Sequence, residues 1–156
     1  MIYRTVFVLL ALVLGAPRGF ADAKQDAMLA PFAAMEKALR ASDEPGFKAR
    51  WYPDGYTKNL IGGSGISGAS VYAQGSRKSW YLKPDLAKLT VLAGGAVAIV
   101  GCDIWSWDKE RAVDHVDAVI VKIGNEYVML GGGEKRAEVD ALAKRWIAKK
   151  PLAAKE

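Results

Sequence analysis

The sequence predicts one α+β domain: helices first, then a meander of antiparallel strands, then a closing helix. Three observations carry this. Apolar residues recur at helical spacing near the start, β-rich runs fill the middle, and an amphipathic helix ends the chain. The 156 residues are 51% hydrophobic and 25% charged, enough for one core and too few for two domains. With Cys102 the single cysteine and His115 the single histidine, an intramolecular disulfide, a cysteine cluster and a histidine-rich metal site are all excluded. No metal and no cofactor is expected.

The first segment reads as an export signal. Arg4 precedes an apolar run of twelve residues, 5–16, too short to span about 30 Å of hydrocarbon. Ala21 and Ala23 form an A-x-A cleavage site before Lys24, with Gly19 and Ala21 as a second option. The expected division is a secretory signal peptide over 1–23 and one domain over 24–156, exported, and periplasmic in a Gram-negative cell. Loss of Arg4, Arg18 and Asp22 lowers the formal net charge from +5 to +4. That is a mildly basic balance. Together with export it points away from nucleic acid; a small molecule or a peptide segment held in a pocket is the expected partner. Later apolar runs are too short to be membrane spans.

The elements follow in order. Phe32, Met35 and Leu39 give 31–41 a helical face, with Pro31 in the first turn and 24–30 as a looser lead-in. Ser42 or Asp43 caps a second short helix through Pro45, Phe47 and Trp51, and Pro53-Asp54-Gly55 ends it in a turn, which completes a helical hairpin over 31–52. The glycine-rich stretch 60–76 reads as a loop with a short helix over 69–74. Strands are expected over 78–92, broken near Pro84-Asp85, then over 96–107 and 113–123. A fourth, 126–130, pairs back through Gly124-Asn125. Gly131, Gly132 and Gly133 read as the turn into a helix over 134–149, with Val139, Leu142, Ala143 and Trp146 on one stripe. The stretch 96–100 is apolar toward both faces of its strand, which suggests a homodimer through the outer face of the sheet.

A helical pair ending in RWYPDGY at 50–56, a loop with a third helix, and the hairpin VDAVIVKIGNEYVML at 116–130 together resemble the nuclear transport factor 2-like (cystatin-like) superfamily. The resemblance covers about 32–130; the helix after GGGEKR departs from the minimal pattern. It implies a conical half-barrel closed by helices, with a pocket in its concave face. That scaffold serves isomerases, dehydratases, cyclases and many non-catalytic binding proteins.

Residues 63–68, GSGISG, match G-x-G-x-x-G, but no convincing strand precedes them and no second βαβ half follows, so they read as loop. Strand alternation places Asp103, Trp105 and Trp107 on one face and Cys102, Ile104 and Ser106 on the other. If the first face lines the cone, the indoles wall it and desolvate Asp103. If not, the tryptophans are core or interface. His115 shares a strand face with Asp117, a pair suited to proton transfer, in a segment charged enough to be solvent-exposed. Cys102 reads as a small buried filler. One histidine and no elbow motif exclude a Ser-His-Asp hydrolase.

Three functions remain open. The leading one is a non-catalytic binding module lined by Trp51, Tyr56, Tyr72, Trp80, Asp103, Trp105 and Trp107. The second is an isomerase or dehydratase with Asp103 or His115 as base and a tyrosine as donor. The third is a structural or interaction domain with a filled cone.

Overall fold

A computed structural model describes residues 18–52 and 68–149. The signal run 5–16, the turn at 53–55, Tyr56 and most of the GSGISG loop lie outside the described residues.

The first helix, α1 (Arg18–Arg40), begins well before Pro31 and carries that proline inside it, so 24–30 is helix and not a lead-in. Pro31 removes one backbone hydrogen bond, and a helix-interior proline costs about 3 kcal/mol. The burial of Met28 offsets much of that, because Met28, Phe32, Met35 and Leu39 form one continuous stripe at spacings of four, three and four. Lys24 Nζ also donates to the Gly94 carbonyl at 2.9 Å, which ties the early turns to the sheet. The second helix, α2 (Glu44–Lys48), is capped by Asp43, whose carboxylate accepts from the Gly46 amide at 2.9 Å. Helix α3 (Gly68–Lys78) is longer than the 69–74 expected. Gly75 lets it lie close, since a Cβ there would stand 2.8 Å from the Trp80 carbonyl oxygen and 3.1 Å from Leu39 Cδ2.

Four strands follow, β1 (Trp80–Leu92), β2 (Val97–Ser106), β3 (Arg111–Ile123) and β4 (Glu126–Gly133), joined in sequence order as an antiparallel meander. The register slips between Pro84 and Leu89, where a break was expected, and again between Ile104 and Trp105 and between Val119 and Ile120. Such irregularities bend and twist a strand pair, as curling around helices requires. Gly124, at φ +59°, makes the tight turn between β3 and β4.

The three glycines at 131–133 are strand and not turn, set opposite Val119, Ala118 and Asp117. Glycine is needed at 132 because a Cβ would meet the Asp117 carbonyl oxygen at 2.5 Å and Ala118 Cα at 3.3 Å. The closing helix, α4 (Arg136–Lys149), therefore starts two residues later than expected.

Period-2 alternation gives the sheet two cores. Ala98, Val100, Cys102, Ala118 and Ile120 face α1 and α2 on the concave side. Val97, Ile99, Val119, Val121 and Leu130 face α4 on the convex side, where Val139, Leu142, Ala143 and Trp146 cover them. The doubly apolar stretch at 96–100 thus serves two cores within one chain, and the outer face that suggested a homodimer is occupied there by α4. Tyr52 meets Trp146 edge-on, ring centroids 4.9 Å apart. The free side of β4 is partly occupied, because the Tyr52 amide donates to the Met129 carbonyl at 2.7 Å and the Met129 amide donates to the Arg50 carbonyl at 2.8 Å. Among the described residues no helix is long and apolar enough to cross a membrane.

Candidate functional site

Beneath the concave face lies a pocket of about 200 Å³. Its floor is Met35 and Leu39 of α1 with Phe47 and Trp51 after it. One wall is the first two turns of α3, through Ser70, Val71, Gln74 and Gly75. Strand residues Trp80, Tyr81, Leu82, Ile104, Val116 and Met129 form the rest, with Gly132 and Gly133 at the β4 end. Gly75 puts backbone where a side chain would press on Leu39 and the Trp80 carbonyl, which helps a small domain keep space inside a cone.

The lining is almost wholly apolar. Among the described lining residues there is no Lys, Arg or His, and the one acidic residue, Asp117, turns its carboxylate to the convex side, 3.7 Å from Arg136 of α4. The Trp51 indole N–H is buried with no hydrogen-bond acceptor among the described residues. Burial pushes the Tyr81 hydroxyl above its ordinary pKa and the Glu36 charge adds to this, while Arg40 opposes by charge and hydrogen bond. Cys102, in the concave core, is pushed up to about 12 by burial first, then by the carboxylates of Asp117, Asp103 and Asp85. It is an inert packing residue.

Of the aromatic residues expected to line a pocket, Trp51 and Trp80 do so. Tyr72 instead packs on Phe47, centroids 5.5 Å apart, at the edge of the core. Trp107 stacks on Tyr81 at 6.1 Å, with the Arg40 guanidinium 5.0 Å from the Trp107 ring and 5.5 Å from that of Tyr81, so it braces the sheet end against α1.

Asp103 and Trp105 fall on the wrong face. Because Ala98, Val100 and Cys102 point into the concave core, alternation sends Asp103 and Trp105 to the convex surface. There the Lys83 ammonium sits 4.0 Å over the Trp105 ring, and Asp103 Oδ1 lies 3.3 Å from His115 Nδ1. His115 pairs with Asp103 rather than with Asp117, since the two are direct cross-strand neighbours, whereas residues two apart along a strand stand farther off. Their side chains are 41% and 44% exposed. Neither acid-base candidate reaches the pocket. The face that does is the one with Cys102 and Ile104, whose parity was visible in the sequence although its burial was not. Among the described residues no three His, Cys, Asp or Glu side chains gather as metal ligands would.

No family model matches the chain, and no curated protein matches it. Two solved structures are similar to it. One is an NTF-2-like protein of unknown function from Shewanella oneidensis MR-1, at 14% identity and a TM-score of 0.45, covering 69% of this chain and 94% of the other. The second is an NTF2-like protein of unknown function from Burkholderia pseudomallei K96243, at 17% identity and a TM-score of 0.38, covering 75% of this chain and 97% of the other. Helices first, then one antiparallel meander curled over them with a pocket beneath and a helix docked behind, make this chain an α+β fold.

Proposed function

We propose that the protein holds a small, largely apolar molecule in the concave pocket and acts as a binding module, not as an enzyme. The observation that carries this reading is the chemistry of the lining: a cavity of about 200 Å³ walled by Met, Leu, Phe, Trp, Val and Ile side chains, with few polar groups. An isomerase or dehydratase needs an acid or base within reach of bound substrate. Asp103 and His115, the two candidates, are engaged with each other on the convex surface. The cavity also weighs against a filled cone.

Export before binding is part of the proposal, with residues 1–23 removed. Lys24, bonded to Gly94, and the buried Met28 both lie after the proposed cut, so cleavage at Ala23 keeps these anchors of α1. Sequencing the N-terminus of protein recovered from a secreting host should read Lys24 first, and a mature form retaining 1–23 removes this part of the proposal.

The pocket itself is tested by filling it. Val71→Trp places an indole in the space, and binding of n-butylbenzene measured by calorimetry should be lost. Trp105→Ala, on the convex face, should leave that binding within about twofold. Wild-type protein that binds no apolar probe, or loss through Trp105→Ala alone, would overturn the reading.

A further inference from the structure

The polar atoms of the pocket say more about the molecule it takes. Trp51 is 7% exposed, its ring forms part of the pocket wall, and its Nε1 is sealed from water with no acceptor among the described residues. A buried donor in this state is rare in folded proteins and is costly to leave unmet. The usual remedies are a neighbouring carbonyl or an ordered water. The indole is also supported on one side. A Cβ on Gly68 would stand 2.8 Å from Trp51 Cγ, so the ring lies flush against the start of α3 and a side chain there would displace it.

Charge around the donor narrows the partner. The first turn of α3 contributes Ser70 and Val71 to the same wall and carries no acidic residue. Asp117 borders the pocket, but its carboxylate lies on the convex side of the sheet, 3.7 Å from Arg136. An ammonium group entering the pocket would find no counter-charge among the described lining residues, whereas an oxygen acceptor would find the indole N–H.

We propose that the ligand is an apolar molecule bearing an oxygen acceptor, a carboxylate or ester carbonyl, which receives the Trp51 indole N–H after a small rotation of the ring. This rests on the pocket-binding reading and names the ligand class for that site. The indole is then both the flat wall against the apolar body and a polar contact that orients it.

Three matched probes test it: 4-phenylbutanoate, its methyl ester, and n-butylbenzene, which share an apolar body and differ in the acceptor. Calorimetry on wild type should show both oxygen-bearing probes binding more tightly than n-butylbenzene. Trp51→Phe keeps an aromatic wall and removes the donor. It should weaken the ester, and whichever acid binding is seen, by at least fivefold more than it weakens n-butylbenzene. A preference for the acid over the ester assigns the carboxylate, and the reverse assigns the neutral carbonyl; both support the proposal.

A second readout needs no variant. In ¹⁵N-labelled wild type the Trp51 indole proton should move downfield on adding the ester and stay in place with n-butylbenzene, which covers the case of Trp51→Phe failing to fold. Equal binding of all three probes with no loss in Trp51→Phe and no indole shift overturns the acceptor proposal and leaves the pocket reading intact. Failure of all three to bind wild type overturns the pocket reading itself.

Discussion

Truncating Trp146 to alanine should cost about 4 kcal/mol of folding stability, and the figure follows from where the ring sits. Trp146 is 5% exposed, wedged between α4 and the convex face, with Tyr52 edge-on at 4.9 Å. A buried tryptophan removes about 200 Å² from water, worth about 5 kcal/mol at ~25 cal/mol per Å². Compact unfolded chains already bury part of that surface, which lowers the figure, and the cavity left behind raises it again. In urea, with a slope of about 1.5 kcal/mol per molar for a domain of this size, the midpoint should fall by about 2.5 M with the slope unchanged. Trp146→Phe, which keeps a ring, should lose less than half as much. A fall under about 0.5 M for the alanine variant would mean that α4 is not anchored through this residue. The two-core description of the sheet would then be wrong.

Gly132→Ala forces a Cβ against the Asp117 carbonyl oxygen and Ala118 Cα, and should destabilise by about 2–3 kcal/mol, read as a drop in thermal midpoint; no drop would mean that β3 and β4 separate freely. Tyr127→Phe leaves the Gly95 carbonyl without the 2.6 Å bond it receives from the phenol, at a cost of about 1–2 kcal/mol in the same assay. The Cys102 thiol, held up to about 12, should resist a thiol reagent at pH 8 in native protein and react at once in urea. Because the native state keeps this proton to higher pH than the unfolded state, whose thiol ionises near 9, Cys102 should contribute a loss of stability as pH rises from 9 to 12. A Cys102→Ala variant with an unchanged pH profile over that window would refute the assignment.

Much of the fold was legible because periodicity reports burial. The stripe Val139, Leu142, Ala143 and Trp146 marked α4, Asp43 marked the cap of α2, and Gly124-Asn125 marked the hairpin. The errors came where one local rule met a stronger tertiary demand. Pro31 normally opens a helix, yet the apolar stripe continued through Met28 and kept the earlier turns helical. Three consecutive glycines normally mark a turn, yet Gly132 answers to a backbone contact with Asp117, a residue fifteen positions earlier in the chain.

The site was harder still. Alternation in β2 correctly separated Asp103 and Trp105 from Cys102 and Ile104, but with Val97 and Ile99 as apolar as Ala98 and Val100 the pattern did not say which side was concave. Only the docking of α1 on one face and α4 on the other decides it. The chemically conspicuous residues went outward, and plain Ile104, Leu82 and Val116 line the cavity.

That β2 and β3 form a common wall between two cores has a consequence for how the molecule opens. Release of α4 uncovers Val97, Ile99, Val119 and Val121 while α1 and α2 stay on Ala98, Val100 and Ile120. Partial opening on the convex side is therefore a separate, lower-energy excursion that leaves the cavity intact. The amides of β2 and β3 are freed only when both coverings are lost, so these strands report the stability of the whole chain. The bare surface exposed by such an excursion is apolar and rich in β-branched residues, the kind that self-associates, and α4 acts as its guard.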